Sequence, residues 1–268
     1  MPPALSIVIV NWNTASLVMD CLRSLLQVPA AIPLEVMVVD NGSTDDSVAR
    51  IIAAWPHVRL IRNADNRGFA AANNQGIAAS SARAVLLLNS DTQVPPGTLE
   101  RLVSFLDTHP EAAACAPQLR SADGRVQPFA FGGDPTPLYL SRRRLSALFG
   151  RSLHDWNTDR VQEVDWVSGA CLMARREAIE QAGALDEAMF MYFEDNDWCL
   201  RFRRRGWKVF YVPDVSITHL GGGSAARSAE ATRSYDESLR HFYLKHYGPL
   251  ARLWLEAMLP LYRRAPTR

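Results

Sequence analysis

The chain has 268 residues, of which 48% are apolar and 21% charged, as in a globular protein and unlike a disordered chain. Its 29 basic residues balance 28 acidic ones, for a formal net charge of +1, which excludes the strong basic field of a general nucleic-acid binder. The four cysteines lie far apart without a C-x-x-C pair. A disulfide scaffold and a cysteine zinc site are therefore not expected. The spread of the cysteines suits a protein of a reducing compartment.

Strand and helix patterns alternate through the first part of the chain. A β-branched run typical of a buried strand lies at 5–10, and further strands are predicted at 34–39, 58–61 and 84–88. Patterns with helical spacing lie at 16–27, 45–55, 68–79 and from Pro95 or Pro96 to 106. This alternation predicts an α/β fold, with a mostly parallel central sheet flanked by helices.

The second part is less regular. The stretch 118–162 is rich in Arg, Gly, Pro and Ser, and we expect an excursion or a mobile loop there. Further strands are predicted at 164–167, 170–174 and 207–212, helices from near Glu194 and at 234–246, and a glycine hinge at 221–223. The tail from Leu250 mixes Leu and Trp with basic ends, and it is either a packed terminal helix or a helix lying on an anionic membrane.

Polar residues follow three of the predicted strands, at 11–13, 40–42 and 89–91. Carboxyl ends of parallel strands meet at one edge of a sheet, so these residues are expected to line one cleft. Asp40 could accept hydrogen bonds from a nucleotide base or ribose, or it could hold its own turn. Asn89 and Asp91 suit a divalent cation on a diphosphate, although a cap or a turn is the alternative.

Aromatic residues lead from Met189 directly into the acidic residues Glu194, Asp195 and Asp197. Several carboxylates beside apolar walls cannot all ionise easily, so one of them could have a raised pKa and act as a general base. The alternative is simple charge complementarity at a helix N-terminus. His219 could add an imidazole ligand to an aspartate-based magnesium or manganese site, or it could be structural.

Three common motifs are missing. No G-x-G-x-x-G follows the first strand, no G-x-x-x-x-G-K-[ST] occurs, and no G-x-S-x-G is present. These absences argue against a dinucleotide-binding fingerprint, a P-loop enzyme and the usual hydrolase elbow.

A combination of motifs carries a family resemblance across about residues 5–223. They are SIVIVNWN from Ser6, VVDNGS from Val38, NRGF from Asn66, LNSD from Leu88 and YFEDND from Tyr192. In this order they resemble the family 2 glycosyltransferases, which have the GT-A fold, and most of all the rhamnosyltransferase-like branch. The resemblance implies a Rossmann-like sheet with a C-terminal helical extension on the acceptor side.

The resemblance also implies roles for individual residues. The nucleotide sugar would contact residues near the ends of the first strands, namely Asn11, Asn13, Asp40, Arg67, Asn89 and Asp91. Asp91 and His219 would hold a divalent metal, Mn²⁺ or Mg²⁺. Asp195 would be the catalytic base with Glu194 beside it, and the pocket for the sugar and the acceptor would include Trp166, Gly169 and Ala170.

The implied reaction is inverting transfer of a sugar from a nucleotide-diphospho-sugar to a hydroxyl of a glycan or lipid-linked acceptor. The branch suggests L-rhamnose from a dTDP-sugar, with UDP-hexoses as the alternative donors. The usual Asp-x-Asp is here Asn89-Ser90-Asp91, so the metal site has less negative charge and is expected to hold its ion together with the donor. The processive Q-x-x-R-W signature is missing, which predicts one sugar per acceptor. Two alternatives stay open, a sugar nucleotidyltransferase and a non-catalytic nucleotide-sugar or glycan-binding module.

These expectations divide one GT-A domain into four parts. Residues 1–115 form the nucleotide-sugar-binding half, 116–163 the mobile excursion, 164–223 the acceptor and catalytic half, and 224–268 the helical tail. With no basic leader and no apolar run near the roughly 20 residues of a membrane span, we expect a cytoplasmic protein. If the tail lies on lipid and is not packed on the domain, the protein would be peripheral on the inner face of the cell membrane.

Overall fold

The structure is a computed structural model that describes residues 3–28, 30–221 and 229–263. Strands and helices alternate in the first half: β1 (Leu5–Asn11), α1 (Ala15–Leu26), β2 (Leu34–Asp40), α2 (Ser47–Ala54), β3 (Arg59–Arg62), α3 (Phe69–Ala79), β4 (Ala84–Asn89), β5 (Thr92–Gln93) and α4 (Thr98–Thr108). The second half contains β6 (Ala112–Arg120), β7 (Phe131–Gly132), α5 (Pro137–Leu148), β8 (Gln162–Glu163), β9 (Trp166–Val167), β10 (Cys171–Arg175), α6 (Arg176–Ala182), α7 (Glu194–Arg204), β11 (Lys208–His219) and α8 (Ala229–Arg263). Of the predicted glycine hinge, all but Gly221 lies outside the described residues.

Within the described residues, nine strands form one sheet in the order β3-β2-β1-β4-β10-β6-β11-β5, with β8 paired to β11. Strands β3, β2, β1 and β4 pair in parallel, and so do β6 and β11. Because β10 is antiparallel to both β4 and β6, those two strands run in the same direction. Only β10, β5 and β8 of this sheet are reversed, so the predicted mostly parallel α/β sheet is confirmed.

The core explains why the first strands were predictable. β1 and β4 are almost entirely inaccessible to solvent, and strands buried on both faces are written as continuous apolar runs. Helix α3 approaches β1 so closely that a Cβ on Gly76 would lie 2.3 Å from a methyl of Val8. Glycine is therefore needed at this contact.

Several elements differ from the prediction. The stretch expected to be an excursion or mobile loop contains the end of β6 and the whole of α5, which begins with Pro137 in its first turn and with Thr136 Oγ1 accepting from Tyr139 N at 3.0 Å. Strand β6 was missed because it is rich in Ala, which has little strand preference. Helix α4 begins at Thr98, after a left-handed Gly97, and not at the prolines.

The C-terminal helix α8 belongs to a second, smaller apolar cluster. This cluster brings α5, α7 and α8 together through buried side chains that include Leu140, Leu200, Phe242 and Leu255. The helix bends at Gly248, whose φ is +81°, directly before Pro249. The predicted packed terminal helix is thus present, whereas the four-part division of the domain stays a prediction.

Two searches of the described residues gave negative results. None of their helices is both long and apolar enough to cross a bilayer. Within the same ranges, no three or more His, Cys, Asp or Glu side chains cluster as a metal site would require. The four cysteines are all buried and unpaired.

Candidate active site

The site lies at the carboxyl ends of β1, β2 and β4, where the turns that follow these strands meet. The Asn11 side chain joins the first two turns, because its Nδ2 donates to Asp40 Oδ1 at 2.9 Å and to Ser43 Oγ at 3.1 Å. Thr14 Oγ1 donates to Asn11 Oδ1 at 2.7 Å, so both ends of this fully buried amide are bonded. Asn11 thereby orders the loops, and its direct contact with a nucleotide stays a prediction.

Asp40 is also engaged locally. Its Oδ2 accepts from Ser43 N at 3.1 Å, which corresponds to the alternative interpretation of Asp40 as a residue that holds its own turn. The side chain is almost fully buried. Asn13, in contrast, is exposed and left-handed, with φ +53°, and its Oδ1 accepts from Thr44 N at 2.7 Å.

A set of asparagines orders the next loop, and sequence reasoning missed it. Asn41 Nδ2 donates to Asn66 Oδ1 and Gly68 O, while its Oδ1 accepts from Asn63 Nδ2 at 2.9 Å and from Arg67 N at 3.1 Å. Every hydrogen-bonding position of this buried amide is therefore used. The network fixes the backbone of Arg67 and leaves its side chain exposed beside the cleft.

This loop is pressed against the aromatic segment that precedes α7. Phe69 N donates to Phe190 O at 2.7 Å, and a Cβ on Gly68 would lie 2.7 Å from the same carbonyl oxygen. Gly68 also has a φ of +86°, which side chains rarely adopt. A glycine is thus required where the loop after β3 meets the segment that leads into α7.

Asn89, Asp91 and His219 come together although the histidine is more than a hundred residues away. Strand β5 pairs with the end of β11, with Thr92 opposite His219, and Leu220 N donates to Asp91 O at 2.9 Å. As a result, His219 Nε2 lies 3.3 Å from Asp91 Oδ1 and 3.3 Å from Asn89 Nδ2. The predicted pairing of Asp91 with His219 is present in the fold.

Gln127 orients His219, and no sequence signal pointed to it. Its Nε2 donates to the backbone oxygen of His219 at 2.7 Å, which leaves Oε1 to accept from His219 Nδ1 at 2.9 Å. Neutral His219 then carries its proton on Nδ1 and turns the Nε2 lone pair towards Asp91. An imidazole nitrogen and a carboxylate oxygen that face each other at 3.3 Å are both of a type that ligates divalent cations. The donor set therefore fits a divalent metal with one imidazole and one carboxylate ligand, whose other positions a substrate diphosphate can fill.

The segment between β9 and β10 connects this cluster to the predicted base. Asn89 N donates to Ala170 O at 3.0 Å, and Gly169 N donates to Asp195 Oδ2 at 2.9 Å. Trp166 lies next to the same carboxylate through Asn196. With its amide oriented to satisfy both partners, Asn196 accepts from Trp166 Nε1 at 3.0 Å and donates to Asp195 Oδ1 at 3.1 Å.

Asp195 and Glu194 begin helix α7 as two adjacent carboxyl groups in a poorly solvated environment. Burial raises the pKa of Asp195 above its usual value, although the N–H groups of Gly169 and Asn196 oppose this shift. Burial, and next the charge of Asp195, raises the pKa of Glu194 well above its usual value. Glu194 Oε2 is buried without a hydrogen-bond partner among the described residues, whereas Asp195 keeps partial access to solvent. A raised pKa together with remaining access to solvent is compatible with the predicted role of Asp195 as a general base, which stays a prediction.

The backbone before α7 is strained. Tyr192 and Phe193 both have left-handed backbone conformations, with φ of +73° and +65°. Such conformations cost free energy in bulky residues and persist only where the surrounding packing enforces them. They turn the chain sharply so that α7 starts with its acidic residues at the cleft.

Asp197 does not join the other two carboxylates. Its side chain is fully buried and points to α8, with Oδ1 2.7 Å from both Lys245 Nζ and His246 Nε2, and Oδ2 2.8 Å from Arg201 Nε. Burial favours a raised pKa for Asp197, but the hydrogen bond from His246 and the charge of Arg201 outweigh it and lower the pKa. The acidic run is therefore divided between two carboxylates at the cleft and one that links α7 to α8.

The sequence matches the family model "Glycosyltransferase like family 2" over residues 2–240. It is 30% identical over 247 residues to an N-acetylglucosaminyl-diphospho-decaprenol L-rhamnosyltransferase of Mycobacterium tuberculosis, which covers 81% of this chain and 76% of that protein. It is 27% identical over 222 residues to the low-salt glycan biosynthesis hexosyltransferase Agl10 of Haloferax volcanii, covering 80% of this chain and 66% of the relative.

The fold is similar to that of GalNAc-T7 solved with UDP, GalNAc and Mn²⁺. The TM-score is 0.66, and the match covers 90% of this chain and 48% of the other. At 16% identity this likeness concerns the fold alone. Together with the family model and the mycobacterial relative, it identifies the chain as a GT-A-fold glycosyltransferase that belongs to the glycosyltransferase-like family 2.

Proposed function

We propose that this glycosyltransferase is an inverting enzyme that moves one sugar from a nucleotide-diphospho-sugar to a hydroxyl of a glycan or lipid-linked acceptor. The observation that carries the proposal is the connection between two sites by residues 169–170. Ala170 O bonds the strand end that bears Asn89, and Gly169 N bonds the carboxylate of Asp195. A base and a diphosphate site held at the same cleft are what direct displacement at a sugar carbon requires.

The nucleotide would occupy the cleft lined by the first loops. Asn13 and Arg67 have exposed side chains there, so we assign them the direct contacts with the nucleotide and its diphosphate. The buried Asn11 and Asp40 would keep these loops in the binding conformation.

Asp91 and His219 would hold the metal, Mn²⁺ or Mg²⁺, with Asn89 as a neutral neighbour. When bound, the cation neutralises charge on the diphosphate and makes it a better leaving group. Since only one ligand is anionic, the site depends on donor phosphate oxygens for much of its affinity. Gln127 keeps His219 in the tautomer that offers Nε2 to this position.

Asp195 would remove the proton from the acceptor hydroxyl. As that oxygen bonds to the anomeric carbon, the bond from this carbon to the diphosphate oxygen breaks on the opposite face, so the configuration inverts. The proton ends on Asp195 and the electron pair on the nucleoside diphosphate. Because burial and the charge of Asp195 raise the pKa of Glu194 well above its usual value, Asp195 would be the member of the pair that carries the charge.

The donor and the acceptor are proposed from the relatives. The mycobacterial relative is named as an L-rhamnosyltransferase acting on a diphospho-decaprenol, which favours a dTDP-linked rhamnose donor and a lipid-linked acceptor here. UDP-hexoses are the alternative donors, and the haloarchaeal relative is named more broadly as a hexosyltransferase. A cytoplasmic enzyme that touches the inner face of the membrane through its tail would suit such an acceptor, and the exposed Leu250 and Leu253 of α8 support this contact.

The test is Asp195→Asn, assayed for sugar transfer and, separately, for donor binding by calorimetry in the presence of Mn²⁺. We expect kcat to fall by about 10²–10⁴-fold, the usual contribution of a general base, with donor affinity unchanged. Glu187→Gln is the matched control, because Glu187 is an exposed carboxylate of the same segment that bonds Asn74 at 2.9 Å. Turnover by Asp195→Asn equal to that of the control would refute the assignment of the base. Release of pyrophosphate from a nucleoside triphosphate would indicate a nucleotidyltransferase instead.

A further inference from the structure

Helix α5 turns an apolar stripe towards solvent. Leu138, Arg142, Leu145 and Phe149 recur at i, i+4, i+7 and i+11, which places them along one side of the helix. The three apolar side chains of this stripe are 68%, 58% and 73% exposed. Leu148 beside them is 71% exposed.

This distribution is the reverse of that in a helix packed on a water-soluble domain, whose outward side is polar. One leucine of α5, Leu140, is buried and anchors the helix to the cluster shared with α7 and α8. The other leucines stay outside, where they gain nothing from the fold. A group of large exposed apolar side chains on one helix indicates a surface that is covered by something else.

The segment that contains the stripe carries charges of one sign, although Asp134 and Asp155 border it. Between Pro135 and His154 the sequence contains Arg142, Arg143, Arg144 and Arg151, and no Asp or Glu. In a chain whose overall charge is +1, this segment has a strong local excess of positive charge. Apolar side chains flanked by arginines are the composition that binds an anionic lipid surface, since the long arginine side chains reach the phosphates while the apolar groups enter the acyl boundary.

We propose that α5 is an interfacial helix that docks this enzyme on anionic lipid headgroups, with Leu138, Leu145, Leu148 and Phe149 inserted. The helix is connected to the acceptor side of the cleft. Trp166 Nε1 donates to Gly133 O at 3.0 Å, four residues before α5 begins. Docking through α5 therefore brings that side of the cleft to the membrane. The binding does not depend on the glycosyl-transfer chemistry, so it is tested separately.

The experiment is co-sedimentation of the full chain with vesicles of phosphatidylcholine alone or with phosphatidylglycerol added. We expect binding to the anionic vesicles, weakened by salt, and little binding to the neutral ones. Leu145→Ser with Phe149→Ser should lower the affinity by more than tenfold. Arg142→Gln with Arg151→Gln should lower it by roughly 25-fold, at about fivefold for each arginine near an anionic surface. All four side chains are exposed, so the variants should melt like the parent chain.

Two further variants separate α5 from other surfaces. Ile52→Ser removes an equally exposed apolar side chain, 55% accessible, from α2 and should leave vesicle binding unchanged. Leu250→Ser with Leu253→Ser tests the tail. The proposal is overturned if the parent chain does not sediment with anionic vesicles. That result is the one expected if α5 binds a protein partner and not lipid. The proposal is equally overturned by full binding of both α5 variants, or by a loss of binding confined to the tail variant.

Discussion

The buried carboxylate of Asp197 links helix α7 to the C-terminal helix α8. Arg201 reaches it from the same helix, whereas Lys245 and His246 reach it from α8. Arg204 Nη1 lies 2.9 Å from His246 Nδ1 and can only donate, so His246 directs its Nε2 proton at Asp197. Asp197→Asn keeps the size of the side chain and removes the charge that all three partners share.

Removing one partner from a buried ion pair costs about 3–5 kcal/mol, because the opposite charge is left without compensation. For Asp197→Asn we expect a cost at the lower end of this range, because two of its partners keep other contacts. Lys245 keeps an ion pair with Asp186 at 2.7 Å, and Arg201 keeps hydrogen bonds to backbone oxygens that include Ala182 O at 2.6 Å. We therefore expect a loss of about 3 kcal/mol in the free energy of unfolding. At roughly 2 °C per kcal/mol for a chain of this size, Tm falls by about 6 °C.

The assay is urea denaturation and thermal melting followed by circular dichroism at pH 7. Asp107→Asn is the control, since Asp107 accepts two hydrogen bonds from Arg83, but both side chains are about half exposed. An exposed pair of this kind is worth at most about 1 kcal/mol. Equal losses in the two variants would refute the idea that burial gives Asp197 its larger effect.

The pH dependence supplies a second readout. An aspartate in an unfolded chain has a pKa of about 3.9, and the pKa of Asp197 in the folded protein is lower. The stabilisation is therefore fully present above that pH and is lost as the pH falls through the folded pKa. The difference between the parent chain and Asp197→Asn should shrink on acidification. If the difference in unfolding free energy between the two chains stays constant from pH 7 to strongly acid conditions, the charge of Asp197 is not the source of the stabilisation.

Three other predictions follow from single sites. Because desolvation raises the pKa of Asp195, the acid limb of the plot of kcat against pH should lie above the ordinary aspartate range. An acid limb at about pH 4 would argue against Asp195 as the base. Gln127→Leu should weaken Mn²⁺ binding by about 10–100-fold in a calorimetric titration, and unchanged affinity would show that the histidine needs no orienting partner. Gly68→Ala should destabilise the fold more than Gly97→Ala in urea denaturation. Both glycines have a positive φ, but only a methyl group at position 68 would meet the backbone of Phe190. Equal losses of unfolding free energy in the two variants would rule out the clash.

Much of the fold could be predicted because it depends on local patterns. Strands β1, β2 and β4 are largely apolar runs, and each is followed directly by polar residues. The convergence of these loops follows from parallel strand order alone. No local pattern connects Asp91 and His219, so their proximity could be suggested from ligand chemistry and from the family resemblance but not from periodicity.

What the tertiary structure decided is which of several chemically similar side chains meet. Glu194, Asp195 and Asp197 are almost adjacent in the chain, yet helical geometry turns Asp197 away from the cleft and towards cations of α8. Gln127 lies in a stretch without periodicity and becomes important only because β11 ends beside it. Periodicity is a property of neighbouring residues and can be seen in a sequence. Partners across the fold are set by how the finished elements pack, and the sequence alone carries no local sign of them.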